Sequence, residues 1–418
     1  MKMHQKIIGL FSLVIMISFV TGCTRVPRNS LPLYQRSVVI ENQEMVDQIL
    51  SKASLVESND PEVNNIKVLH LSGTPYEMGF QHGRLIRDDV QANVHQIIGL
   101  VKRFASEDIM DEVYNLMAPY IPREDQEEMR GLAHGADIPL RVIHWLHAIP
   151  EVSEYGPKRQ FVGRMSGTSC SNIAAFGNAT VDGELYQLRV LDWIRQLGAQ
   201  EYPVILVHRP DYGNASATFS YAGFIGCVSG MNERYMAFGE MGYGNPPGES
   251  LEGIPFVFLY RKLMREADNL DDVIRIISEA RRTCSYVYVI SDAKADDHDR
   301  KALLFVSDRD RVEFYPANTR LVDERDSVSF PAIEDVVYGG HKADVLYEEI
   351  MSHHGNISPE TLMEITKPVA LKGNVQNVIF KPATLEAWVT NAATTGRDVE
   401  GMAAHQKWYY FDFGAALR

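Results

Sequence analysis

Cysteine is scarce in this sequence, with four cysteines among 418 residues. So few thiols exclude a small scaffold that is held together by a dense set of disulfides. The four are Cys23, Cys170, Cys227 and Cys284. If Cys23 is set aside, for the reason given next, three thiols remain. An odd number leaves at least one cysteine without a disulfide partner inside the chain.

Long apolar runs are also missing, apart from one near the N-terminus. That run, Ile7 to Val20, has about 14 residues and follows the basic Lys2 and Lys6. It is too short for a spanning helix and is typical of a signal-peptide core. It ends in "VTGC", which resembles the lipobox of bacterial lipoproteins. We expect residues 1–22 to be a signal peptide and Cys23 to carry a lipid that anchors the protein to a bacterial membrane, outside the cytoplasm. An ordinary secretory signal with a chance cysteine is the alternative.

Positive charge is in deficit, because 41 Lys and Arg face 55 Asp and Glu, for a net charge of −14. This balance argues against nucleic acid or an anionic membrane surface as a partner. Cofactor motifs are missing as well. "DAKADDHDR" lacks the turn glycine of an EF-hand, "HHG" lacks metal-ligand spacing, and "EMGYGNPPGES" does not match a phosphate loop. We therefore expect no metal and no cofactor.

What is present is the composition of a folded protein, with 45% hydrophobic residues and no repeat. Residues 23–61 are predicted to be a tether with one short helix around Gln43–Leu50. Residues 62–169 predict a strand at Ile66–Gly73 and then mostly helix, beginning with one long helix. Residues 170–418 predict strands, a helix pair broken at Asn269–Asp271, more strands, two late helices and two closing strands. This order favours two sheets with helices outside, in one domain that includes residues 62–169.

Cys170 begins a predicted strand in the stretch "GTSCSNIAAFGNATVDGELYQLRVLDW". Because "NATVDGE" predicts a hairpin, Arg189 and Asp192 on the returning strand are expected beside Cys170. Cys170 could be a buried structural residue, half of a disulfide, or a nucleophile that becomes reactive after the chain is cut before it. Cys227 and Cys284 adjoin apolar runs and are expected to be buried packing residues.

A conventional cysteine nucleophile needs a histidine base. Neither His208 nor the earlier His134, His144 and His147 lies in a recognisable sequence motif of a catalytic histidine. If the Ser169–Cys170 bond is cut, the new α-amino group, with an ordinary pKa of ~8, can take the thiol proton itself. Asp192 would then orient the amine and Arg189 would stabilise the thiolate. A surface ion pair is the alternative for Arg189 and Asp192.

The same stretch resembles the start of the catalytic chain of N-terminal nucleophile (Ntn) hydrolases. The resemblance is to the cysteine branch that includes choloylglycine hydrolases and the isopenicillin-N acyltransferase family. There, Cys-Ser/Thr opens the chain and Arg-x-x-Asp returns on the second strand, positions matched by Cys170, Arg189 and Asp192. "GTPYEMGFQHGRLI", "EEMRGLAHGADIPLRVIHWLHAIPE" and "SGMNERYMAFGEMG" are similar to further segments of the acyltransferase family, in the same order. The long segment before Cys170 favours that family over the choloylglycine hydrolases.

The resemblance implies an α+β fold, the αββα four-layer sandwich of Ntn hydrolases. It also implies cleavage between Ser169 and Cys170, with the two chains staying associated. For the oxyanion it implies backbone amides at Gly242 and Tyr243. It further implies a side-chain amide in a region where Asn318 is the only asparagine, although the residues after Asn318 depart from the family pattern.

The implied reaction is acyl transfer from an amide, through a thioester on Cys170. Since acyl-coenzyme A is cytoplasmic, an anchored enzyme outside the cytoplasm is expected to hydrolyse an N-acyl amide with an apolar acyl chain. One alternative is an envelope acyltransferase of the same fold. Another is an uncleaved, inactive lipoprotein that binds an acylated ligand.

Overall fold

Two β-sheets face each other at the centre of the molecule, and helices cover their outer surfaces. The computed structural model describes residues 40, 42–57, 66–155, 169–242, 248–298, 301–323 and 328–418. These residues belong to one unit, Ser37–Arg418. The predicted αββα four-layer sandwich is confirmed.

In the described residues, six α-helices precede Cys170: α1 (Gln43–Leu50), α2 (Pro75–Leu85), α3 (Arg87–Val101), α4 (Glu107–Met117), α5 (Arg123–Ala136) and α6 (Leu140–Glu154). Five described α-helices follow it: α7 (Phe256–Glu266), α8 (Leu270–Glu279), α9 (Ala343–His353), α10 (Pro359–Val369) and α11 (Phe413–Leu417). Local side chains fix where several of them begin. Thr74 and Glu77 form a capping box at α2, and Asn269 accepts from the Asp272 backbone nitrogen at α8. Both caps satisfy backbone donors that a first turn leaves free.

The larger sheet has nine strands in the order β1-β2-β5-β6-β7-β8-β9-β10-β11. Their bounds are β1 (Ser54–Glu57), β2 (Lys67–Gly73), β5 (Pro203–Pro210), β6 (Ser216–Tyr221), β7 (Ser229–Asn232), β8 (Met236–Gly242), β9 (Tyr286–Asp292), β10 (Ala302–Ser307) and β11 (Val312–Pro316). All neighbours are antiparallel except β2 and β5, which are parallel. Since β1 and β2 precede Cys170, the N-terminal segment forms part of this sheet.

The smaller sheet has six strands in the order β14-β3-β4-β15-β16-β17, all antiparallel. Their bounds are β3 (Ser169–Ala175), β4 (Tyr186–Asp192), β14 (Val336–Gly340), β15 (Asn374–Lys381), β16 (Glu386–Asn391) and β17 (Tyr409–Asp412). A separate ribbon pairs β12 (Leu321–Asp323) with β13 (Val328–Phe330). Pairing with β14 ends at Ser171, so β4 is the sheet partner of Ser169 and Cys170.

Two predictions about the N-terminal part were wrong. Residues 43–57 are not a free tether: Ile49 of α1 packs against Tyr76 and Phe80, and β1 pairs with β2. The predicted long helix is two helices that meet at Ile86, whose φ of −127° is not helical. The break allows α2 to pack mainly on α5, while α3 also reaches α6.

The crossing of α2 and α5 is unusually close. Gly79 and Gly83 on α2 face Gly131 and Gly135 on α5, and a Cβ added to any of them would lie under 3.0 Å from backbone of the other helix. Four glycines at i, i+4 spacing therefore remove the side chains that would keep the two backbones apart. This explains the glycines in the "EMGFQHG" and "RGLAHG" motifs.

The predicted signal peptide, residues 1–22, and the predicted lipidation site, Cys23, lie outside the described part of the chain. Within the described part, no helix has the length and apolar character needed to cross a bilayer. The expectation of a lipid anchor at Cys23 therefore stays a prediction.

Candidate active site

Cys170 lies where the hairpin prediction places it. In the antiparallel pairing of β3 and β4, Ser169 is opposite Asp192, Cys170 is opposite Leu191, and Arg189 is opposite Asn172. The Cys170 side chain is 8% exposed, and its carbonyl accepts from the His341 backbone nitrogen at 3.3 Å. The hairpin thus brings the predicted nucleophile and its two predicted partners together.

Arg189 contacts the Cys170 thiol directly. Its Nη2 lies 3.4 Å from Cys170 Sγ and 3.3 Å from Glu240 Oε2, and its Nε donates to the Glu240 carbonyl at 3.2 Å. Arg189 is 1% exposed and Glu240 is 4% exposed. A surface ion pair, the alternative interpretation of Arg189, is therefore wrong.

Glu240 is a site residue that the sequence analysis missed. It lies on β8, a strand of the other sheet, and is the only acid in the buried run "MAFGEMG". A carboxylate on a buried strand is costly unless it is paired, which is the signal that could have identified it. The Arg189 guanidinium provides that pair across the two sheets.

Asp192 is buried at the end of β4, opposite Ser169. Its Oδ1 accepts from the Leu371 backbone nitrogen at 3.1 Å. Burial raises the pKa of Asp192 to about 8, although the bonds from Leu371 and Asn374 oppose the shift. Burial likewise raises the pKa of the Cys170 thiol to about 12, against the effect of Arg189. With Ser169 and Cys170 joined, as in this structure, the thiol is therefore protonated at neutral pH, and no described histidine lines the site to act as its base.

These residues border a cavity of about 90 Å³. Its polar border includes Cys170, Arg189, Asp192, Glu240 and Gly242. Most of the wall is apolar, and it comes from both sides of the Ser169–Cys170 bond: Ile97, Leu146, Ile149 and Pro150 from α3 and α6, and Leu191, Trp193, Phe219, Tyr221, Phe224, Val228 and Phe256 from the later segment. The site can therefore hold an apolar group against the thiol.

One wall of the cavity ends in the turn that follows β6. Three buried side chains from the segment before Cys170 form hydrogen bonds with the backbone of this turn. Asn93 Nδ2 donates to the Ala222 carbonyl at 2.7 Å. His82 Nε2 accepts from the Gly223 nitrogen at 3.1 Å, and His147 Nε2 accepts from the Ile225 nitrogen at 2.9 Å. Burial lowers the pKa of His82 to about 3 and that of His147 to about 4. Both imidazoles are thus neutral at working pH, which leaves Nε2 able to accept.

No histidine is among the residues that line this cavity in the described part of the chain. His208, the candidate base of a conventional dyad, is buried elsewhere, with Nε2 3.1 Å from the Glu128 carboxylate and 3.0 Å from Arg261 Nη1. Arg261 also pairs with Glu128. This cluster joins α5, β5 and α7, and it does not form a Cys–His dyad.

Asn318 is not brought to Cys170. Its Oδ1 accepts from the Asp335 backbone nitrogen at 2.9 Å, and the Asp335 carbonyl in turn accepts from Phe176, just beyond the far end of β3. Cys170 is six residues away along that strand, which corresponds to about 20 Å. Asn318 has a φ of 63°, so its local role is that of a turn residue.

The structure describes some of the remaining predicted site residues and not others. Gly242 ends β8 and borders the cavity. Tyr243, like Cys23, lies outside the described residues, and for Ser169 the structure describes the strand but not the side chain. Cys227 and Cys284 are buried and form no disulfide. No group of three or more metal-ligating side chains occurs in the part of the chain that the structure describes.

Residues 182–322 match the family model "Acyl-coenzyme A:6-aminopenicillanic acid acyl-transferase". The match covers about a third of the chain. It begins after Cys170 and includes Arg189, Asp192 and Glu240.

Two proteins of Dictyostelium discoideum are similar to this chain. Protein dcd1A is 27% identical over 323 residues, which cover 68% of this chain and 68% of that protein. Protein dcd1B is 24% identical over 302 residues, which cover 66% of this chain and 57% of that protein. A solved structure, the Caenorhabditis elegans ortholog of N-acylethanolamine-hydrolyzing acid amidase, is 11% identical. It covers 58% of this chain and 100% of its own, with a TM-score of 0.40. The chain therefore combines a four-layer αββα fold with sequence similarity, over about a third of its length, to an acyl-transferase family.

Proposed function

We propose that this protein is a self-cleaving cysteine Ntn hydrolase that cleaves the amide bond of an N-acyl substrate through a thioester on Cys170. The observation that carries the proposal is the convergence of Cys170, Arg189 and Asp192 beside an apolar cavity. Similarity to the acyltransferase family across Arg189 and Asp192 also supports it.

Self-cleavage would create the missing base. In this scheme the Cys170 thiol attacks the Ser169 carbonyl, the acyl group moves from nitrogen to sulfur, and water hydrolyses the thioester. The new α-amino group would form next to Asp192, because Ser169, the residue that the cut separates from Cys170, lies opposite Asp192. An ammonium group beside that buried carboxyl lowers the carboxyl pKa from its raised value, so each charge stabilises the other.

Turnover then uses the same residue twice. The α-amino group takes the thiol proton, and Sγ attacks the substrate carbonyl while Arg189 stabilises the thiolate. The α-ammonium returns the proton to the leaving amine as the C–N bond breaks. Water attacks the thioester and releases the acid, which restores the free thiol. No metal or cofactor takes part in this sequence.

The cavity wall supports an apolar acyl group as the part of the substrate that binds. Aromatic and aliphatic side chains dominate it, and each buried methylene contributes about 0.8 kcal/mol. N-acyl amino acids, acyl-homoserine lactones, β-lactam side chains and bile-salt conjugates all present such a group beside an amide.

We further propose that the enzyme is lipid-anchored at Cys23 in the bacterial cell envelope, and that its two chains stay associated after cleavage. Strands β1 and β2 and the cluster of Glu128, His208 and Arg261 support lasting association, because they join segments on either side of the cut. Acyl transfer to an amine is the second candidate function, favoured by the similarity to an acyl-transferase family.

The test is the intact mass of soluble protein that starts after Cys23, measured beside a Cys170→Ala variant. Two fragments that meet between Ser169 and Cys170, absent from the variant, are expected. The cleaved protein should then release dodecanoic acid from an N-dodecanoyl amide much faster than acetic acid from the matching acetamide. An added amine acceptor separates hydrolysis from acyl transfer. A single uncut chain in both samples would refute the proposal and favour a ligand-binding lipoprotein.

A further inference from the structure

The proposed reaction needs a side-chain donor that the sequence did not identify. When Sγ attacks the substrate carbonyl, negative charge develops on its oxygen, and donors aimed at that oxygen lower the barrier. Asn318, the predicted donor, lies at the far end of β3. The candidate donors are therefore polar atoms that belong to cavity residues and have no hydrogen-bond partner among the described residues.

Three cavity residues present a buried polar atom without a hydrogen-bond partner among the described residues: Asn93 Oδ1, Arg189 Nη1 and the Tyr221 hydroxyl. Asn93 is unsuited to hold an oxyanion. Its amide nitrogen donates to the Ala222 carbonyl at 2.7 Å, and the atom that it leaves unpaired is an acceptor. Arg189 Nη1 and the Tyr221 hydroxyl can both donate.

The fold places Tyr221 at the same end of the larger sheet as the other site residues. It ends β6, and Glu240 and Gly242 lie at the corresponding end of β8, with β7 between the two strands. Tyr221 is close enough to Arg189 for the guanidinium to act on its pKa, which burial raises. The phenol therefore keeps its proton, and so its donor, at working pH.

We propose that the Tyr221 hydroxyl, together with Arg189 Nη1, donates hydrogen bonds to the substrate oxyanion. The inference rests on the proposed function. As the Cys170 Sγ–carbon bond forms, the carbonyl electron pair moves to oxygen, where the two donors hold it. The pair returns as the C–N bond breaks, and the leaving amine takes its proton from the α-ammonium group of Cys170.

Side chains from helices before Cys170 help to hold Tyr221 in position. The turn that follows it is held by Asn93, His82 and His147, all from the segment before the cut. A hydroxyl held without a partner in a buried site costs about 1–3 kcal/mol in the resting protein. That cost is regained when a substrate oxygen accepts its hydrogen bond, which is the behaviour of a preorganised donor.

The experiment compares Tyr221→Phe with Ser220→Ala, since the two residues are neighbours that both border the cavity. Ser220 differs in having a partner, because its hydroxyl donates to the Phe224 carbonyl at 2.8 Å. Hydrolysis of an N-dodecanoyl aminocoumarin is measured per cleaved molecule, and unfolding in urea is measured for each protein. Tyr221→Phe should lower kcat about 10²-fold, with KM within about twofold and stability unchanged or higher.

Ser220→Ala should show the opposite pattern, with kcat within about threefold and a lower unfolding midpoint. If Tyr221→Phe keeps more than about a third of kcat while the wild type hydrolyses the substrate, the inference is wrong and the proposed function stands. A joint fall in stability and kcat would assign Tyr221 a structural role instead. A wild type that neither cleaves itself nor hydrolyses the amide overturns the proposed function and this inference with it.

Discussion

The glycine contacts between α2 and α5 predict that one added methyl group will separate two helices. Gly131→Ala would place a Cβ 2.8 Å from the Phe80 backbone nitrogen and closer still to the Tyr76 carbonyl oxygen. Because all of these atoms belong to helix backbone, no side chain can rotate away to make room. The helices must move apart by about 1.5 Å to restore ordinary contact distances of ~3.5 Å.

The expected magnitude follows from two opposing effects. Alanine favours a helix interior over glycine by about 0.8–1.0 kcal/mol. Overpacking a close contact costs about 1–3 kcal/mol, and here the contact is between backbones, so the upper part of that range applies. Gly131→Ala should therefore lower the free energy of unfolding by about 1–2 kcal/mol.

Gly99→Ala is the matched control. Gly99 also lies inside a helix, α3, but a Cβ there meets nothing within 4 Å. The propensity gain is then unopposed, and stability should rise by about 0.5–1 kcal/mol. The same glycine-to-alanine change should thus lower the free energy of unfolding at one helical position and raise it at the other.

The assay is urea unfolding of both variants in a Cys170→Ala background, which excludes the proposed self-cleavage. Gly131→Ala should unfold at lower urea than the parent and Gly99→Ala at higher urea. Displacement of α2 also moves His82 from the Gly223 nitrogen, so cleaved Gly131→Ala protein should have a raised KM. Equal stabilisation by both substitutions would refute the close crossing.

Three further outcomes follow from the site. In uncut Cys170→Ala protein, the raised pKa of Asp192, about 8, means that the folded state holds a proton that the unfolded chain releases. The free energy of unfolding should fall between pH ~4 and ~8, by up to ~1.4 kcal/mol per unit, and Asp192→Asn should flatten that slope. Ile149→Trp should occupy part of the cavity and lower kcat/KM for a dodecanoyl amide by about tenfold or more, with little effect on a butanoyl amide. Asn318→Ala should leave kcat within about twofold but cost about 1 kcal/mol of stability, because the Asp335 nitrogen loses its acceptor.

Local patterns predicted much of the scaffold. The turn residues between β3 and β4 encode a hairpin, and a hairpin alone is enough to bring Arg189 and Asp192 back beside Cys170. Caps such as Asn269 begin helices where the sequence indicates them. These features depend on hydrogen bonds between residues a few positions apart, so they can be predicted from short stretches.

Features that depend on distant contacts could not be predicted in the same way. Glu240 and Tyr221 enter the site only because the larger sheet packs its β6 and β8 ends against Cys170. Asn318 is an asparagine in the region where the resemblance implies a side-chain amide donor, yet its Oδ1 accepts from the Asp335 nitrogen, away from Cys170. No local pattern encodes which strand ends meet across two sheets.

The sequence by itself determined the Cys170 hairpin and most of the helices and strands, because hydrogen-bonded turns and apolar periodicity act over short separations, and its resemblance to Ntn hydrolases implied the αββα class. Tertiary structure alone decided that α3 and α6 form part of the cavity wall and that glycines let α2 and α5 touch. It also decided which buried polar atoms remain unpaired beside the thiol. These outcomes come from packing between segments far apart in the sequence, such as those of Lys67 and Val204 or of Asn93 and Ala222, where the favourable contact exists only after the whole chain has folded.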